Sequence, residues 1–228
     1  MTRFAFFGIL PVAICIAATS EIEMARDKQD RAALEKAIAE LTAAAQKQPN
    51  DAGAQIRLAT AQSYLAEVAM ELRDKNTARS VAEAGIKSAE KAVALKPNDA
   101  ETHRILGTLC GQVIPANVLA GLRYGKCALD SINKAIELDP RSADAYISRG
   151  VGNYYLPPSF GGGVELALKD FEKAIQLNPK SSEAYLWQGI ALRKANRNGE
   201  ARQALTKSLQ LNPNRAWTKQ QLEKTPAQ

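Results

Sequence analysis

Apolar positions recur every three or four residues along most of the chain, and each run stops at a proline. In Gly163–Leu177 they fall at Val164, Ala167, Leu168, Phe171, Ala174 and Ile175. That spacing is one face of a helix, not the alternation of a strand. Asn178-Pro179 ends the run, because proline disfavours helical geometry in the residue before it. Ser181 or Ser182 then caps a new helix by accepting a backbone N–H. The next apolar series is Ala184, Tyr185, Leu186, Trp187, Ile190 and Ala191. One phrase closes every second helix: AVALKP at Pro97, AIELDP at Pro140, AIQLNP at Pro179 and SLQLNP at Pro213, the last two prolines standing 34 residues apart. Self-similarity at such a period predicts an array of stacked helix pairs.

Slot by slot, the array resembles the tetratricopeptide repeat (TPR) family. In the last repeat, Ser182–Arg215, the aromatic slot is Tyr185 and the small slots are Gly189 and Ala201; Leu205 follows, and Ser208 stands where the family usually has Ala. The third repeat matches with Tyr146, Gly150, Ala167, Phe171, Ala174 and Pro179, and the second with His103, Gly107, Ala128, Ile132, Ala135 and Pro140. The first has Gln55, Ala59, Gly85, Ala89, Ala92 and Pro97. The small residues let helix A and helix B of a repeat approach closely. The resemblance implies an all-α fold, a right-handed TPR solenoid of antiparallel helix pairs. About four repeats are expected, with N- and C-terminal capping helices and inserted turns between helices A and B.

Residues 1–20 read as a cleaved signal peptide: Arg3 is the basic start, Phe4–Ala18 the uncharged apolar run, and Ala18-Thr19-Ser20 the cleavage site. The mature chain is then expected to begin at Glu21, to have no stable membrane span, and to be periplasmic or secreted. A lipidated Cys15 is the competing reading, but Ile14 stands where a small residue is needed. Residues 21–49 are expected as one N-terminal capping helix, with Ala33, Leu34, Ala37, Ile38, Leu41, Ala44 and Ala45 as its apolar stripe. The solenoid is placed at 50–213, in repeats of about 50–97, 98–140, 141–179 and 180–213, and the C-terminal cap and tail at 214–228. Two insertions, VIPANVLAG (Val113–Gly121) and LPPSFGGG (Leu156–Gly163), lie between helices A and B, so both emerge on one edge.

Formal net charge is +6, and its distribution matters more than its sum. From Lys180 onward Lys180, Arg193, Lys194, Arg197, Arg202, Lys207, Arg215, Lys219 and Lys224 oppose only Glu183, Glu200 and Glu223. Such a basic end is either a solvated cap or a contact for acidic partners or headgroups. Catalytic chemistry is missing. The one histidine, His103, sits in a core slot with no metal-spaced companions, so no metal, cofactor or enzymatic activity is expected. Gly161-Gly162-Gly163 lacks the lysine of a phosphate loop and reads as a turn. No stacking platform with interleaved basic residues supports nucleic-acid binding. Cys110 and Cys127 lie at matched heights on either side of an inserted turn. They are either a disulfide or two buried thiols.

In the TPR family, helix A lines the concave groove. The resemblance therefore implies groove residues Ile147, Val151, Tyr154 and Tyr155 from the third repeat, and Leu186, Trp187, Ile190, Arg193 and Lys194 from the fourth. Ile56 and Thr60 occupy the slots where relatives that clamp a C-terminal carboxylate carry Lys and Asn, so that activity is not implied. The function expected is an exported, non-enzymatic interaction module, which holds a protein or peptide in the groove or scaffolds a cell-envelope complex. The second reading is an accessory that binds a small apolar ligand on Tyr154, Tyr155 and Trp187. Exported TPR proteins associated with tripartite (TRAP-type) solute transporters have a similar layout. Alternatively, those aromatics pack against the LPPSFGGG insertion.

Overall fold

A computed structural model describes residues 21–114 and 120–227. The expected signal peptide, and residues 115–119 of the first insertion, lie outside the described residues. All regular structure among the described residues is helical. Residues 21–27 form α1, followed by α2 (Arg31–Lys47), α3 (Ala52–Glu71), α4 (Lys75–Leu95), α5 (Ala100–Val113) and α6 (Ala120–Leu138). The chain continues through α7 (Ala143–Tyr155), a 3-10 turn (Pro158–Phe160), α8 (Val164–Leu177), α9 (Ser182–Lys194), α10 (Asn198–Leu211) and α11 (Ala216–Glu223). Helices α3–α4, α5–α6, α7–α8 and α9–α10 pack as pairs, and each pair stacks on the next. This is the all-α solenoid of the repeat pattern.

Local chemistry sets the boundaries. Side chains of Asp51, Asp99, Ser142 and Ser181 accept N–H bonds from Gly53, Thr102, Ala145 and Ala184, and so cap α3, α5, α7 and α9. The helices before the proline turns end at Lys47, Leu95, Leu138, Leu177 and Leu211. The next residue in each case, Gln48, Lys96, Asp139, Asn178 or Asn212, still donates to the carbonyl four back, and proline then forbids another turn.

One expectation is corrected. Residues 21–49 do not form a single capping helix, because Gln29 adopts φ 56° and Asp30 restarts the helix by accepting from the Ala33 N–H. Arg73 and Asn196 take the same left-handed conformation between α3 and α4 and between α9 and α10. The N-terminal cap is therefore a helix pair in miniature, joined by the same short turn. Its apolar face, with Ile22, Ala25 and Leu34, packs on Ala61, Leu65 and Val68 of α3.

The small slots work as contact points. A Cβ on Gly150 would lie 2.5 Å from Phe171 Cε1, on Gly107 2.5 Å from Ile132 Cγ1, and on Gly189 2.6 Å from Leu205 Cγ. Beside the first of these, Asp170 of α8 accepts from both Arg149 and Asn153 of α7. The second pair carries a covalent tie, Cys110 of α5 to Cys127 of α6, with Cα atoms 6.0 Å apart. In the third-repeat insertion the N–H groups of Gly161, Gly162 and Gly163 donate to Pro158, Pro157 and Asn153 carbonyls. The glycine run is thus a closed turn, with no free amides left for an anion.

Gly150→Ala tests the close approach. Phe171 is fully buried and has no room to yield, so overpacking should cost about 1–3 kcal/mol. The thermal midpoint should fall by roughly 2–4 °C for each kcal/mol, and an unchanged midpoint would show that the helices are not in contact there.

Candidate functional site: the inner wall and the terminal clasp

Helices α3, α5, α7, α9 and α11 supply the inner wall, and its two ends differ. At the C-terminal end the wall is filled by the chain itself. Trp187 of α9 lies 5.2 Å from the Trp217 ring of α11, 6.0 Å from Tyr154, 6.3 Å from Tyr155 and 6.4 Å from Phe171. Trp187, Leu186, Ile190 and Ile147 are all buried in one core cluster, with Val151 and Tyr154 packed against it. Arg193 donates to the Gln221 side chain at 2.6 Å and to Thr225 Oγ1, and Lys194 donates to the Tyr154 carbonyl at 2.8 Å.

Most of the nine residues expected to line an open groove are therefore already engaged. Leu186, Ile190, Ile147 and Trp187 are core. Arg193 and Lys194 bind backbone and side chains of their own chain. The physical reason is the segment after Pro213: α11 continues the solenoid and lays Trp217, Gln221 and Thr225 on the face that α9 would otherwise present. Tyr155 is the exception, at 50% exposed. The aromatics pack on one another, with Tyr154, Tyr155 and Trp187 in mutual edge contact, while Phe160 of the LPPSFGGG insertion is 75% exposed.

Among the described residues, two glycines leave backbone uncovered on α5 and α7. A Cβ added at Gly111 of α5 or Gly152 of α7 would meet nothing within 4 Å. Between them, Thr108 Oγ1 and Ser148 Oγ lie 3.0 Å apart and tie α5 to α7. Tyr155 stands at the end of this stretch. Its hydroxyl is pushed up to about 12 by burial, helped by Tyr154, Glu67 and Glu71.

A charged clasp joins the two ends of the chain. Arg215, 0% exposed, donates to both oxygens of Glu71 of α3 through Nη1 and Nη2, and Nη2 also donates to Glu67 at 2.6 Å. Its Nε donates to Glu183 of α9 at 2.9 Å and lies 3.8 Å from Asp27 of α1. Arg26 lies 3.4 Å from Glu183 and 2.8 Å from Asp27. Amide side chains extend the seam: Asn212 donates to Asp27 at 2.7 Å, Gln220 to Gln29 at 2.9 Å, and Gln29 to Glu71 at 2.7 Å.

Burial and charge compete inside the clasp. Burial pushes Glu71 up to about 7 against the pull of Arg215, and raises Glu67 likewise. Burial also works on Glu183, but Arg215 and Arg26 outweigh it and hold that carboxyl below its usual range. Arg215 stays firmly charged: its burial is more than offset by Glu183, Glu67 and Glu71.

The sequence reading missed this cluster and counted Arg215 with a basic end. Arg202 belongs to the same correction, since it donates to the Leu222 and Thr225 carbonyls and anchors the tail. The end is thus not simply a solvated cap. A signal was present. In the turns after each proline the capping slot reads Asp51, Asp99, Ser142, Ser181 and then Arg215. A cation at a helix N-terminus opposes the macrodipole, so it requires compensating anions. Glu67 and Glu71, one turn apart on α3, are a like-charged pair whose mild repulsion a nearby cation relieves.

Other chemistry stays local. His103 Nε2 lies 2.7 Å from the Pro97 carbonyl oxygen. Among the described residues no group of His, Cys, Asp and Glu could hold a metal ion, and no helix is long and apolar enough to cross a membrane.

Comparison with known proteins gives two family matches. The model described as "Regulator of microtubule dynamics protein 1-3" matches residues 17–156, and one described as "Tetratricopeptide repeat" matches residues 161–216. No curated protein matches the sequence. Among solved structures, TTC0263, a thermophilic TPR protein of Thermus thermophilus, is 17% identical with a TM-score of 0.63, over 91% of this chain and 98% of that one. YrrB, a TPR protein with an unusual peptide-binding site, is 17% identical with a TM-score of 0.43, over 92% and 88%. MamA from Desulfovibrio magneticus is 17% identical with a TM-score of 0.46, over 89% and 97%. The likeness to TTC0263 shows the fold.

Arg215→Ala and Trp187→Ala test the two halves of this description. Removing Arg215 leaves buried carboxylates without their cation and should cost about 3–5 kcal/mol. Trp187→Ala, as a core truncation, should also cost about 3–5 kcal/mol. Urea unfolding at neutral pH measures both. A neutral Trp187→Ala would return that residue to the groove.

Proposed function

The chain belongs to the regulator of microtubule dynamics protein 1-3 family and carries TPR repeats, and from that premise we propose that it is a non-enzymatic module that binds a protein or peptide. The partner lies along the inner wall of α5 and α7. The observation that carries this is the uncovered backbone at Gly111 and Gly152, together with the half-exposed Tyr155. A half-exposed tyrosine beside uncovered backbone offers a flat apolar face, an anchor typical of recognition surfaces. The family description, which speaks of microtubule dynamics, supports a protein as the partner.

Selection of peptides from a displayed library on the full chain tests the reading. Selected peptides should lose at least tenfold in affinity, about 1.4 kcal/mol, on Tyr155→Ala, with the thermal midpoint unchanged. Peptides indifferent to Tyr155→Ala would place binding elsewhere, and a selection that yields none would count against the module.

Export is the second part of the proposal and rests on residues 1–20: Arg3, the apolar run and Ala18-Thr19-Ser20. A module of this kind would then act in the cell envelope, as a scaffold or a holder of one partner. Intact mass of the protein expressed with its own N-terminus should correspond to a chain starting at Glu21. A mass that retains residues 1–20 in the cytoplasmic fraction would overturn export and leave peptide binding untouched.

A further inference from the structure

Glu67 and Glu71, one helical turn apart, meet at Arg215 Nη2, and Glu71 also accepts from Nη1; the Glu71 side chain is 2% exposed and that of Glu67 20%. Two carboxylates so placed resist being ionised together. Four carboxylates, Asp27, Glu67, Glu71 and Glu183, face two guanidiniums, Arg26 and Arg215. The surrounding elements bring little further positive charge. From α1 comes Glu23, from α3 Tyr64, and from α7 Tyr155, which lies near Glu67 and Glu71. Arg104 of α5 also acts on Tyr64, but it is paired with Glu101 at 2.6 Å and faces Asp144.

We propose that the clasp is a proton-operated latch: seating residues 212–220 on α1 and α3 takes up a proton on the Glu67 and Glu71 pair, and its loss frees the C-terminal segment from the inner wall. Arg215 is the pin. It caps α11 with no side-chain hydrogen bond of its own to that helix, which has only eight residues. Release of Arg215 therefore loosens α11, and with it the cover that Trp217, Gln221 and Thr225 place on Trp187 and Arg193. This rests on the inner wall being the binding surface, since the latch governs how much of that wall is uncovered.

The direction follows from the protons. Burial raises Glu71 to about 7 in the closed form, and Glu67 moves the same way. In the open form both return toward the ordinary value of 4.5. Between those values the closed form holds the extra proton, so closure weakens as pH rises and stops changing above about 7. Glu183 acts oppositely. Its carboxyl is held low when closed, so its support is present above its ordinary value of 4.5 and is lost on further acidification. The latch is tightest in mild acid.

Hydrogen exchange of the full chain without any partner, read by mass spectrometry and corrected for intrinsic rates, tests the latch independently of peptide binding. Protection of α11 should fall by up to about tenfold per pH unit from about pH 5 to pH 7 and then level, while α8 keeps its own. Glu71→Gln, neutral at every pH but still able to accept from Arg215, should flatten that slope and keep α11 protected at pH 8. Wild-type protection independent of pH overturns the latch whatever the variants do. So does a slope that survives unchanged in both Glu71→Gln and Glu67→Gln. If the latch fails while peptides still require Tyr155, the binding module stands without this control.

Discussion

A guanidinium with no exposed surface has to be matched by charge, and that constraint on Arg215 ties the two ends of the chain together. Its partners come from α1, α3 and α9, segments far apart in sequence. Taking these groups out of water is costly, and such a network seldom adds much net stability over an apolar core of equal volume. What it adds is geometry. A solenoid is otherwise held only by neighbour-to-neighbour contacts, and its curvature is soft. A bridge from the first helix pairs to the last segment selects one curvature.

That selection divides the inner wall. Where α11 lies against α9, the aromatic and basic residues are consumed in packing: Trp217 on Trp187, and Arg193 on Gln221 and Thr225. On α5 and α7, Gly111 and Gly152 leave backbone uncovered among the described residues, and Tyr155 of α7 is half-exposed. The covalent tie of Cys110 to Cys127 stiffens the hairpin that carries Gly111. Rigid support beside an exposed aromatic favours recognition, because less conformational freedom is lost on binding.

Much of this was legible in the sequence, for reasons that are local. Periodicity at three and four residues, Asp or Ser capping slots, and prolines two residues past each helix end are short-range signals. They suffice to place the second helices at Leu95, Leu138, Leu177 and Leu211. The small slots Gly107, Gly150 and Gly189 are legible for the same reason, since each meets a partner in its own hairpin. Only the break at Gln29 was hidden there: a left-handed glutamine is not a residue preference, and Asp30 alone marks the restart.

The candidate site is different because its meaning depends on what lies across the solenoid. The family resemblance implied that Trp187, Leu186 and Ile190 line the groove, and in the structure they are buried in a core cluster. The resemblance could not say that Trp217 and the C-terminal segment cover that face, because curvature sums small rotations over all the repeats. The capping series Asp51, Asp99, Ser142, Ser181, Arg215 shows from sequence alone that the last helix begins with the wrong charge. Which carboxylates answer it, Glu67, Glu71, Glu183 and Asp27, was decided only when tertiary packing brought distant helices within hydrogen-bond reach. Pair energies act over a few ångströms, and the sequence separations here exceed 140 residues for the α3 partners.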